Sequence, residues 1–155
     1  RDPRMLARVL SRAWLAAALL IWPIFDWIGA GAYAQDVGII QTEMVAAARW
    51  LADNTRPDER IAAHDIGAIG YFSGRPLLDL AGLISPEVIP FIRDEARLAD
   101  WLAEQNAAYL VTFPGWYPAL AARGPQVVFR SAGRFSPQSG GENMEIWRWP
   151  PQKGG

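Results

Sequence analysis

The stretch "AWLAAALLIWPIFDWIGAGAYA", Ala13 to Ala34, is almost wholly apolar and constrains the chain more than any other. As a helix rising about 1.5 Å per residue it is long enough to span a hydrocarbon core of about 30 Å. Arg1, Arg4, Arg8 and Arg12 precede it, and no Lys or Arg follows until Arg49. That asymmetry places the N-terminal side in the cytoplasm and the rest outside. Trp14, Trp22, Trp27 and Tyr33 suit interfacial anchoring. Pro23 is expected to kink the helix, and Asp26 is costly deep in lipid. Asp26 lies toward the outer end, where water or a neighbouring helix can satisfy it. The rival reading is a secretory signal peptide, with the arginines as its n-region and "AYA" as a cleavage site. The apolar run exceeds the h-region length of about 7–15 residues, which favours a retained transmembrane helix. Either way, the remainder is expected on the extracytoplasmic (periplasmic) side.

With 155 residues, the chain has room for one domain with a core plus such a segment. Its net charge of −1 offers no electrostatic footprint for nucleic acid. The absence of cysteine excludes disulfides, thiolate catalysis and cysteine-ligated zinc, and a single histidine excludes a multi-histidine metal site. Neither metal nor cofactor is expected. A start at Arg1 rather than methionine suggests a fragment of a longer chain.

Beyond residue 36 the pattern is that of a small α/β domain, residues 37–150, with a disordered tail at 151–155. Ile40, Met44, Ala47, Ala48 and Leu51 recur at helical spacing, with Glu43, Arg49 and Asp53 on the other face, so an amphipathic helix is expected over Val37–Asn54. "RIAAH" (Arg60–His64), "PLLDL" (Pro76–Leu80) and "AYLVTF" (Ala108–Phe113) read as buried strands. Ser85 and Pro86 open a short helix. "DEARLADWLAEQN" reads as a second amphipathic helix with acids at its start. "PGWYPALAARG" is a turn and short helix. "QVVFRS" and "MEIWRWP" alternate as strands joined by a polar loop. The expected fold is a three-layer-like domain whose sheet is mainly parallel, with an antiparallel C-terminal edge pair. Trp147 and Trp149 are expected in edge-strand packing, or against a membrane surface.

"HDIGAIGYFSGRPLLDLAGL", His64 to Leu83, carries the densest punctuation. Its glycines are spaced G-x-x-G-x-x-x-G rather than G-x-G-x-x-G, which argues against a dinucleotide cradle. Gly67 and Gly70 suit close packing of a short helix on the sheet, and Gly74 suits a turn. His64 and Asp65 would face opposite sides of a strand, so they do not form a natural dyad. Asp65 and Asp79 each end a predicted parallel strand, at the edge where open α/β sheets bind ligands. Trp116 and Tyr117 end the third strand, at the same edge. Two carboxylates with aromatic faces suit carbohydrate; the competing role for both aspartates is to cap the turns that follow.

Trp50 to Val88, with its motifs W-L-x-x-N-T, D-I-G-A-I-G-Y-F-S-G-R and D-L-x-G-L (containing Gly82), resembles the C-terminal extracytoplasmic region of bacterial multi-spanning glycosyltransferases related to protein mannosyltransferases and lipid A aminoarabinose transferases. "YLVTFPGWYPAL" is similar to the segment that follows in them. The resemblance covers Gln35 to Leu120. It implies a parent enzyme that transfers a sugar from a polyprenyl-phosphate donor to a glycan, lipid or protein acceptor, with further transmembrane helices as partners in the bilayer. The family's catalytic aspartate sits in a first extracytoplasmic loop that no segment here matches, so this chain is expected to be a non-catalytic accessory domain. The alternative is a membrane-tethered or secreted α/β binding module without transferase activity.

Overall fold

The computed structural model describes residues 3–149; Arg1 and the tail at 151–155 lie outside the described residues. The chain divides into two compact units, Arg1–Val37 and Gly38–Gly155.

The first unit is helical. Helix α1 (Pro3–Ile39) begins in it, contains Pro23 without ending there, and buries none of its residues. It is the one helix among the described residues long and apolar enough to cross a membrane, with a mean hydropathy of 1.6 over its most apolar window.

The second unit is an α/β domain. Its helical entry does not follow simple α periodicity. Residues Ile40–Met44 form a π-helical turn, closed by the Val45 N–H donating to the Ile40 carbonyl, before α2 (Val45–Asn54) resumes. A π turn absorbs about one extra residue, which rotates the side chains on it by up to about 100° relative to α phase. The expected faces therefore change at two positions. Ile40 turns outward, while Glu43 is fully buried with Met44, Ala47, Ala48 and Leu51.

Strand β1 (Arg60–Ala63) follows a turn, then α3 (Ile66–Ser73), β2 (Leu77–Asp79), a 3₁₀ turn (Pro86–Phe91), α4 (Glu95–Glu104) and β3 (Ala107–Thr112). A second 3₁₀ turn (Pro114–Trp116), α5 (Pro118–Ala121), β4 (Gln126–Arg130), α6 (Phe135–Gln138) and β5 (Glu145–Arg148) complete the domain. Asp94 caps α4 by accepting from the Arg97 N–H at 3.1 Å, as its position before the helix dictates. Arg75 closes the other end of α2: its guanidinium donates to the carbonyls of Ala52 at 2.7 Å and Thr55 at 2.8 Å, satisfying carbonyls that the helix leaves free.

The five-stranded sheet has the order β2-β1-β3-β5-β4. β1 pairs in parallel with both β2 and β3, whereas β5 pairs antiparallel with β3 and β4. The parallel core and antiparallel C-terminal pair are as the alternation of helices and strands predicts. β5, however, lies inside the sheet, and of this pair only β4 is at an edge. Trp147 is accordingly core, 1% exposed, with its indole N–H donating to Glu145 Oε2 at 2.6 Å. Trp149 is buried as well, so neither ring is free to lie on a membrane.

Alternation along the strands builds two cores. Ile61, Ala63, Tyr109, Val111 and Ile146 meet Ala47, Ala48 and Leu51 of α2 and Ile69 of α3 on one face. Ala62, Leu78, Leu110 and Trp147 meet Leu98, Trp101 and Leu102 of α4 and Leu120 of α5 on the other. The sheet is thus the middle of three layers. Gly70 makes the expected close approach, since a Cβ there would lie 2.8 Å from Leu77 Cδ1. Gly67 does not: nothing lies within 4 Å of its Cβ position. Gly74 ends α3 in the left-handed conformation, φ +61°, which a side chain would strain.

Candidate functional site

A chain that leaves β1 for β2 on one side and then crosses to β3 on the other reverses its winding between β1 and β3. In open α/β sheets that switch point, at the carboxyl ends of the strands, is where ligands bind. His64 follows β1 directly, and Trp116 and Tyr117 follow β3 through the turn at Pro114–Trp116.

These three side chains come together. His64 Nδ1 and the Tyr117 hydroxyl share a hydrogen bond at 3.0 Å. The Trp116 ring stands edge-on to the His64 ring, centroids 5.0 Å apart at 72°, and is backed at 5.0 Å by Phe113. Tyr117 is buried and Trp116 is 49% exposed. The aromatic cluster therefore presents one indole to solvent from a fixed base. Burial pushes the Tyr117 phenol up to about 12, with the negative charges of Glu95 and then Asp79 adding to the shift. Tyr117 is thus a neutral hydroxyl at physiological pH.

The two candidate aspartates differ. Asp79 is fully buried, and its carboxylate accepts from the Ala81 N–H at 2.7 Å and the Ile84 N–H at 2.8 Å. Both oxygens are spent holding the loop after β2, so Asp79 reaches the cluster only through its charge. Asp65 stands at the N-cap position of α3, but its side chain makes no capping hydrogen bond, and it is half-buried beside His64. Strand β1 has already ended at Ala63, so the strand alternation that argued against His64 does not govern it. The signal that marks Asp65, position at a parallel strand's carboxyl end, marks His64 equally.

On its other side Trp116 borders a groove of about 570 Å³ shared with Ile39, Met44, Phe113, Gly115 and Glu142. Behind the groove lies a second polar cluster that the periodicity of the sequence hides. Glu43 accepts from the Ser131 hydroxyl, from Asn143 Nδ2 at 3.1 Å and from the Met144 N–H at 2.9 Å. Gly133 packs directly on Glu43 and Thr42, leaving no room for a Cβ. Among the described residues no group of three or more His, Cys, Asp or Glu side chains is arranged to hold a metal ion.

The site thus offers an aromatic face and a histidine whose Nδ1 is engaged by a neutral phenol, with Asp65 next to that histidine in the chain. Such an array can hold a polar ring by stacking and hydrogen bonding; it lacks the paired free carboxylates that glycoside hydrolysis requires. No curated protein and no solved structure matches the chain. Residues 28–147, most of its length, match the family described as Domain of unknown function (DUF8728), and the chain belongs to that family.

Proposed function

We propose that this chain is a membrane-anchored, extracytoplasmic sugar-recognition domain, and that it serves as the non-catalytic accessory part of a glycosyltransferase that uses a polyprenyl-phosphate sugar. The observation that carries the reading is the half-exposed Trp116 indole, seated on His64 at the β1/β3 switch point. A flat indole beside hydrogen-bonding groups complements the apolar face and hydroxyl rim of a pyranose. The basic N-terminal flank and apolar helix supply the anchor and its orientation. The transferase assignment rests on the motifs from Trp50 to Leu120.

Titration of the full chain in detergent with a panel of methyl glycosides tests the recognition step. Saturable binding to one or more, abolished by Trp116→Ala, is expected; no binding across the panel overturns it. The alternative is a tethered binding module with no transferase attached. Membranes expressing the complete gene product separate the two: incorporation of label from a polyprenyl-phosphate sugar supports the transferase, and binding without incorporation supports the module.

A further inference from the structure

We propose that His64 sets which sugars this site accepts: its Nε2–H, held outward by the Tyr117 hydroxyl, donates to an uncharged oxygen of the ligand. The proposal rests on the sugar-recognition reading above and adds to it the hydrogen bond that the protein supplies.

The direction of one hydrogen bond decides the chemistry of the ring. His64 Nδ1 and the Tyr117 oxygen lie 3.0 Å apart, a hydrogen bond whichever atom carries the proton. Tyr117 is 5% exposed, and His64 is the one hydrogen-bond partner of its hydroxyl among the described residues. A buried hydroxyl that only accepted would leave its own proton without an acceptor, at the cost of desolvating it. The phenol also keeps that proton, since burial and nearby negative charge push its pKa up to about 12. It therefore donates to Nδ1. In a neutral imidazole one nitrogen accepts and the other carries the proton, so the proton of His64 sits on Nε2. Tyr117 is the positioning residue, because its hydrogen bond fixes both the tautomer and the orientation of the ring.

Nε2 is available to a ligand. A ring with Nδ1 turned toward the buried phenol turns Nε2 away from it. His64 is half-buried, and its Nε2 has no hydrogen-bond partner among the described residues. Among those residues the one buried side-chain nitrogen or oxygen without a partner is Trp149 Nε1, so His64 Nε2 is open to solvent. It belongs to the ring that Trp116 meets at 5.0 Å. A pyranose stacked on the exposed part of that indole therefore meets an N–H donor at its rim.

The local charge selects among acceptors. Asp65 is next to His64 in the chain and makes no capping hydrogen bond, and Glu95 and Asp79 act on the neighbouring Tyr117 as negative charges. A carboxylate or phosphate on the ligand is repelled by these groups; a hydroxyl, ring oxygen or amide carbonyl is not. The ligand class is a neutral glycoside.

The chain has one histidine, so nitrogen-15 labelling of histidine in the full chain in detergent gives ring-nitrogen signals that belong to His64 alone. At about pH 8, above the ordinary histidine range, Nε2 is expected to be protonated and Nδ1 bare. The Nδ1 signal should be displaced by the phenol and move to the free-imidazole value in Tyr117→Phe. A proton on Nδ1, or an Nδ1 signal indifferent to Tyr117→Phe, overturns the proposal. Titration with a methyl glycoside that binds should shift Nε2 more than Nδ1, and the uronic-acid counterpart of that sugar should bind several-fold more weakly. Binding with Nε2 unmoved, or a uronic acid bound as tightly as its neutral counterpart, overturns the proposal and leaves sugar recognition standing. A panel in which no glycoside binds overturns the sugar reading itself, and the role of His64 with it.

Discussion

Two polar clusters lie on either side of Trp116, and they are built on opposite principles. In the Glu43 cluster every described group is spent: a buried carboxylate accepts from a serine, an asparagine and a backbone amide, and Gly133 seals it. In the His64 cluster a hydrogen bond and two ring contacts fix the geometry, but the indole faces outward and Asp65 caps nothing. A closed cluster stabilises, because removing a member strands buried donors. An open one has free surface to offer a ligand. Stability and binding should therefore be separable by mutation, and the largest effects test the closed cluster.

Glu43→Ala should be the most damaging. It strands the Met144 amide and empties a buried site, while the Ser131 hydroxyl and Asn143 keep the Met144 and Gly133 carbonyls as acceptors, so a loss of about 3 kcal/mol is expected. Glu43→Gln keeps one acceptor oxygen and should lose less. Thermal unfolding of both variants checks the order. A Glu43→Ala protein as stable as the parent would break the distinction between the clusters.

Asp79→Ala is expected to follow, at about 2 kcal/mol, because two amides lose a charged acceptor. It carries a second signature. Asp79 is one of the charges that raise the Tyr117 phenol, so spectrophotometric titration should show that phenol ionising at lower pH than in the parent. A stability loss with no change at Tyr117 would sever Asp79 from the open cluster altogether.

Legibility in the sequence divides along the same line. Short apolar runs mark Arg60–His64 and Ala108–Phe113 as buried strands, and the acids from Asp94 mark the start of α4, because those signals are local. Glu43 was hidden because the π turn at Ile40–Met44 breaks the 3.6-residue phase from which its face was read. Strand order was hidden too: β5 follows β4 in the chain but inserts between β3 and β4, which converts Trp147 from an edge residue to core. At the open cluster, Trp116 and Tyr117 were marked by their place after a parallel strand. His64 was discounted on an alternation that stops one residue before it. Asp79 was legible as either ligand or cap, and only its hydrogen bonds to the Ala81 and Ile84 amides show the cap.

Tyr117 gives a smaller and pH-confined effect. Its folded-state pKa, about 12, lies above the ordinary value of 10.0. The unfolded chain therefore loses this proton first. The stabilisation is complete below about pH 10 and fades as pH rises toward about 12. Tyr117→Phe should flatten that alkaline decline in melting temperature while leaving the neutral-pH value little changed. An unchanged slope between the two would assign the decline to other groups.

The smallest stability loss among the alanine substitutions, and the sharpest test of the comparison, is Trp116→Ala. Half of the indole is already in water, and its ring contacts are with His64 and Phe113, so truncation should cost about 1–2 kcal/mol, well short of a fully buried tryptophan. Its removal nevertheless takes away the open cluster's only outward aromatic face. Paired measurements on this variant, unfolding and glycoside titration, should diverge: a modestly lowered melt with binding lost. A large stability loss instead would make Trp116 part of the scaffold, and the two clusters would then differ in exposure but not in kind.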